Sequence, residues 1–221
     1  MLDIENKNTF VDIHYQQNGK SSATNDLGMR EMQTMAYKHR KQRFLLIKAP
    51  PASGKSRALM FIALDKLVNQ GLKKVVVAVP EKSIGRSFRN TDLVKFGFYA
   101  DWRVAPYYDL CAAGGNENDK AGRFCEFMKN AKAKILVCAH ATLRNAMKQL
   151  NDEDWNDCVL AIDEFHHTSA DANSGLGDAV RRVMNNSTGH IVAMTGSYFR
   201  GDGIPVLRAE EIGRASCRER V

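Results

Sequence analysis

The chain has 221 residues, 44% hydrophobic and 26% charged, with 32 Lys and Arg against 25 Asp and Glu for a formal net charge of +7. That balance is ordinary for a folded domain long enough to bury a core; it excludes a disordered tail and, with no apolar run near the roughly 18 residues a bilayer span needs, a membrane-spanning chain. The polar residues 1–10 lack the basic-then-apolar order of a secretory signal, so a cytoplasmic protein without membrane partners is expected, and five cysteines without close pairing or metal-ligand spacing (Cys111, Cys125, Cys138, Cys158, Cys217) read as reduced thiols.

Residues 1–26 are polar and aperiodic and read as a loosely ordered lead-in. Residues 27–41 turn helical and end in Lys38-His39-Arg40-Lys41, positive charge where a helix dipole favours it. Five short apolar, β-branched runs follow, at 44–47, 75–79, 135–138, 158–162 and 191–194, each succeeded by a helix-like segment. Residues 102–105 form a sixth, weaker candidate. Strand-helix alternation with continuously apolar strands predicts an α/β fold, a parallel sheet sandwiched between helices, with ligands at the carboxyl ends of the strands. The last eleven residues, 211–221, read as the conceptual translation of a common sequencing adapter and are expected to lie outside the domain, placed at 27–210 and ended early by that tail. They hold three arginines and two glutamates, so the charge without them is still positive.

Two constellations carry chemistry. Ala49-Pro50-Pro51-Ala52-Ser53-Gly54-Lys55-Ser56 leaves the first apolar run and opens a helix, matching a phosphate loop except that Ala49 stands where glycine is usual. Backbone N–H groups of such a loop cradle phosphates, Lys55 reaches the β- and γ-phosphates, and Ser56 offers its hydroxyl to Mg²⁺. Asp163-Glu164-Phe165-His166 follows the run at 158–162, where an acidic pair suits metal binding by Asp163 and proton abstraction from water by Glu164.

The order of these pieces resembles the first RecA-like domain of superfamily 2 helicases, close to the restriction-enzyme-type DEAD/DEAH group, over about residues 27–197. The resemblance implies an ATP- and Mg²⁺-dependent motor acting on nucleic acid, DNA rather than RNA. In it Gln33 takes the place of the adenine-reading amide, Asp163 to His166 form a DExH motif with His166 near the nucleotide, and Thr195-Gly196-Ser197 couple ATP state to grip. It also implies nucleic-acid contacts from Lys82, Ser83, Arg86 and Thr142, although Ser83 serves equally well as a helix cap. A second RecA-like domain would supply a transition-state arginine, so residues 27–210 alone should turn ATP over slowly. Nuclease or methyltransferase subunits are possible partners of such a motor. Two other readings stay open: a phosphate-loop ATPase with a substrate other than nucleic acid, and an inert nucleotide- or nucleic-acid-binding module.

Overall fold

The computed structural model describes residues 11–14, 24–112, 116–165 and 175–196. Among them, six strands form one wholly parallel sheet: β1 (Val11–His14), β2 (Phe44–Lys48), β3 (Lys74–Val79), β4 (Ile135–Ala139), β5 (Cys158–Ile162) and β6 (His190–Thr195), in the order β1-β2-β6-β5-β3-β4. The register runs Leu45↔Val192, Leu160↔Ile191, Val76↔Leu160 and Val76↔Leu136 across the centre. All five strong apolar runs are strands, because side chains alternate across the pleat and both faces are covered. Phe44, Leu46, Val76, Leu136, Leu160 and Ile191 pack with α3 (Glu117–Lys129), α4 (His140–Met147) and α5 (Gly175–Asn186). Leu45, Ile47, Val77, Val159 and Val192 pack with α1 (Glu31–Lys38) and α2 (Lys55–Asn69) on the other face. No helix among the described residues is long and apolar enough to cross a membrane.

Three expectations are corrected. The segment read as a lead-in contains β1, which pairs with β2 from Val11↔Leu45 to His14↔Lys48 and extends the sheet by one edge strand. The sixth apolar candidate, at 102–105, is no strand of the sheet. Trp102 makes only an isolated bridge to Thr91; its fully buried indole donates from Nε1 to Phe88 O at 2.9 Å and fills the core beneath α2. An aromatic surrounded by apolar residues mimics a buried strand when it is a wedge between loops. The first helix is also shorter than its pattern, ending at Lys38 instead of Lys41.

The two helices beside the phosphate loop are pinned together by one buried carboxylate. Asp65 on α2 accepts hydrogen bonds from Tyr37 Oη (2.8 Å), Tyr99 Oη (2.8 Å), Asn69 Nδ2 (2.9 Å) and Gln70 Nε2 (2.6 Å), with Arg40 at 3.4 Å. Burial alone would raise this carboxyl, yet the donors hold it below its ordinary value. The network fixes α1 against α2 and thereby sets the position of Gln33.

Candidate nucleotide and nucleic-acid site

The phosphate loop leaves β2 at the sheet's carboxyl edge and turns into α2. Gly54 caps that helix at φ 90°, and a Cβ there would lie 2.6 Å from Gln33 Nε2, so both backbone and space call for glycine. Ala52 sits at φ 61° in the left-handed region without glycine's freedom. Ala49, by contrast, has no positive φ and continues the sheet's pattern, its N–H donating to Thr195 O at 3.1 Å. The missing first glycine therefore removes nothing the backbone needs.

Gln33 is buried against the loop rather than displayed on the helix surface. Its Oε1 accepts from Arg30 N–H at 2.9 Å and its Nε2 donates to Gly54 O at 3.2 Å. Lys55 Nζ donates to Ala49 O (2.8 Å) and Pro50 O (3.2 Å), a cation folded onto the loop's own carbonyls. Among the described residues Ser53 Oγ is buried with no hydrogen-bond partner, and Ser56 is half-buried in the first turn of α2. A nearly buried ammonium, an unpaired hydroxyl and the amino end of a 15-residue helix fit a phosphate group. Pro50 and Pro51 add no N–H donors and stiffen the entry to the turn.

Asp163 and Glu164 emerge from β5, separated from β2 only by β6, so Thr195 lies between the loop and the acidic pair. Asp163 N–H donates to Ala78 O at 2.9 Å, and Glu164 N–H donates to Asp163 Oδ1 at 3.0 Å. Glu164 takes φ 50°, a left-handed turn that non-glycine residues seldom adopt. Burial first, and the neighbouring Glu164 charge second, push Asp163 up to about 6, with the Glu164 N–H and Lys55 opposing. A carboxyl so placed gains strongly from a nearby divalent cation. His166 and Ser197 lie outside the described residues. Thr195 is buried, and Gly196 follows at the strand end.

The expected nucleic-acid residues gather beyond β3 and β4. Lys82, Ser83 and Arg86 line a cleft of about 480 Å³ with Arg89, Asp109 and Cys111, and a Cβ on Gly85 would stand 2.5 Å from Cys111 Cβ, so only glycine fits that wall. Ser83 makes no capping bond; its Oγ reaches Glu81 Oε2 at 3.5 Å and stays exposed. Thr142 departs from the expectation of an open contact: it is buried on α4 and its hydroxyl donates to Glu117 Oε2 at 2.7 Å. Glu117 Oε1 also meets Lys82 Nζ at 3.0 Å. Sequence reasoning passed over Glu117 and Arg89, since one acid twenty-five positions before Thr142 carries no spacing signal.

Residues 13–200 match the family model described as "Type III restriction enzyme, res subunit". YeeB of Bacillus subtilis (strain 168), provisionally named an ATP-dependent helicase, is 56% identical over 201 residues, 91% of this chain and 33% of its own length. Helicase 22 of the Sulfolobus islandicus filamentous virus (isolate Iceland/Hveragerdi), also provisionally named, is 28% identical over 131 residues, 59% of this chain and 21% of its own. The chain thus spans a third or less of the curated relatives it matches. Among solved structures, the Hef helicase domain of Pyrococcus furiosus aligns with a TM-score of 0.55 at 18% identity over 81% of this chain and 33% of that one. The DUF1998 helicase MrfA, bound to DNA and AMPPNP, aligns at 0.51 with 15% identity, over 75% and 23%. These two likenesses establish the RecA-like fold, and with the family match over residues 13–200 the chain belongs to the type III restriction enzyme res-subunit family of superfamily 2 helicase-like ATPases.

Proposed function

We propose that this chain is the ATP-binding motor domain of a translocase or helicase that couples ATP hydrolysis to movement on DNA. One observation carries the reading: the phosphate loop and the Asp163–Glu164 pair lie at the carboxyl ends of strands separated by a single strand, whose Thr195 O accepts the first N–H of the loop. ATP supplies the transferable γ-phosphoryl group and Mg²⁺ neutralises its charge. Lys55 exchanges the Ala49 and Pro50 carbonyls for phosphate oxygens, and Ser56 with Asp163 holds the cation. Glu164 takes the proton of the attacking water. Gln33, locked to Gly54 O, reports on the base from the same backbone turn that binds phosphate. The Ala49–Thr195 hydrogen bond joins that turn to Gly196 and Ser197, the proposed coupling segment.

Support for DNA over RNA comes from the restriction-enzyme character of the family, which also favours nuclease or methyltransferase partner subunits and cytoplasmic work. The whole protein's activity needs a facing second RecA-like domain to supply the arginine for the transition state. Glu164→Gln tests the chemistry. In a protein of the relatives' full length, the variant should bind a fluorescent ATP analogue with Mg²⁺ as tightly as the parent while DNA-stimulated phosphate release falls by a hundredfold or more, roughly the contribution of a general base. Unchanged turnover would remove Glu164 from that role, and a parent enzyme stimulated by RNA alone would overturn the DNA reading.

A further inference from the structure

We infer that Glu117 is a built-in competitor for nucleic-acid phosphate: its carboxylate occupies the anion site that Lys82 and Thr142 form at the basic cleft, and a bound strand must displace it. The inference rests on the nucleic-acid reading above and adds to it a residue that sets grip strength.

The geometry is that of a filled anion site. One carboxylate oxygen lies 3.0 Å from Lys82 Nζ and the other accepts the Thr142 hydroxyl at 2.7 Å. Lys120, buried on the same helix as Glu117, adds a second ammonium, lowered by burial and by the neighbouring Lys82 charge. The Thr142 hydroxyl foremost, with Lys82 next among the stabilising partners, holds the Glu117 carboxyl below its ordinary value, so it is ionised at neutral pH. A hydroxyl and a lysine ammonium are donors proteins commonly set against phosphodiester oxygens. Lys82, Arg86 and Arg89 continue the positive surface along the cleft.

Glu117 is suited to leave. It stands in the first turn of α3, with its side chain one-third exposed, whereas Thr142 is fully buried and stays in place. The α3 amino end is already capped by Asn116, whose Oδ1 accepts from Asp119 N–H at 2.9 Å, so Glu117 is not needed for that cap. A strand phosphate that replaces the carboxylate takes over a ready-made donor set, and affinity is reduced in proportion to how well Glu117 fills it.

The test is fluorescence anisotropy of a labelled oligothymidylate titrated with this chain across a salt series. Glu117→Gln keeps the side chain's shape and one acceptor for Thr142 but frees Lys82. It should tighten binding about two- to fivefold at low salt, the range of an exposed ion pair. The log–log salt slope should steepen by about 0.7, one further phosphate neutralised on a single strand. Glu153→Gln makes the same charge change at the exposed, opposite end of β5 and should do less than half as much. Lys82→Gln introduced together with Glu117→Gln should erase the gain. If the parent binds and Glu117→Gln does not bind more tightly than Glu153→Gln, the inference fails while the nucleic-acid reading stands. If neither parent nor variant binds the oligonucleotide in a salt-dependent way, both fail.

Discussion

Lys66→Met should flatten the pH dependence of this fold's stability between about pH 7 and 9, because that dependence comes largely from one buried ammonium. Lys66 is fully buried on α2, its Nζ donating to Gln42 O at 2.8 Å and lying 2.9 Å from His190 Nδ1. Burial pushes the group down to about 7 from an ordinary 10.5, with only Asp65 opposing, and burial together with the Lys66 charge pushes His190 down to about 4. Between the two lysine values the unfolded chain binds a proton that the folded chain does not. Stability therefore rises with pH through that window, at up to about 1.4 kcal/mol per unit from this group. Over two units the contribution approaches about 2.5 kcal/mol, a large share of a domain's total of roughly 5–15. Cys111 and Cys158 work against it above about pH 8.5: burial pushes both thiols up to about 12, so there the unfolded chain loses protons that the folded chain keeps. The comparison with Lys66→Met removes that common background. Urea unfolding followed by emission of Trp102 and Trp155, both fully buried, at pH 7, 8 and 9 gives the slopes. Parallel pH slopes for parent and variant would refute the assignment of a depressed Lys66.

Lys55→Ala removes a charge-assisted contact to phosphate and should weaken binding of a fluorescent ATP analogue roughly ten- to a hundredfold, about 1.5–3 kcal/mol; equal dissociation constants would rule out this loop as the nucleotide site. Ala52→Gly relieves a left-handed alanine at φ 61°, a gain of about 1 kcal/mol, offset by the added freedom of an unfolded glycine, about 0.4–1 kcal/mol, so the urea midpoint should barely move. A loss above about 1 kcal/mol would mean that the Ala52 methyl itself holds the loop.

The five strong strands, the loop that turns into α2 and the placement of the acidic pair at the end of β5 were legible because each depends on local order: an apolar run for a strand covered on both faces, a fixed spacing for a loop that turns into a helix. The strand β1 was hidden because Val11-Asp12-Ile13-His14 alternates within a polar stretch and owes its existence to pairing with β2. Trp102 was misplaced for the converse reason, since a buried wedge and a buried strand look alike over four residues. Charge was the least transferable quantity. Lys66, Lys74 and Lys120 all count toward +7, yet all three are buried; Lys74 Nζ donates to Phe127 O and Asn130 O, so its charge serves the fold and not a polyanion. Thr142 was expected as an open nucleic-acid contact, yet it is buried and its hydroxyl donates to an acid from another helix, and no spacing rule links the two.

The strand order has a consequence for how the protein is made. Among the described strands the central β6 is the last to be synthesised, and it joins Leu45 to Val192 and Leu160 to Ile191. Until residues near 195 leave the ribosome, the described strands form two separate halves, β1-β2 and β5-β3-β4, each with an apolar edge that lacks its neighbour. The loop after β2, translated early, gains its backbone partner Thr195 only at that closing step. Folding of the nascent chain should be slow and late, with the exposed edges of Phe44–Lys48 and Cys158–Ile162 the surfaces that a chaperone, or an aggregate, meets first.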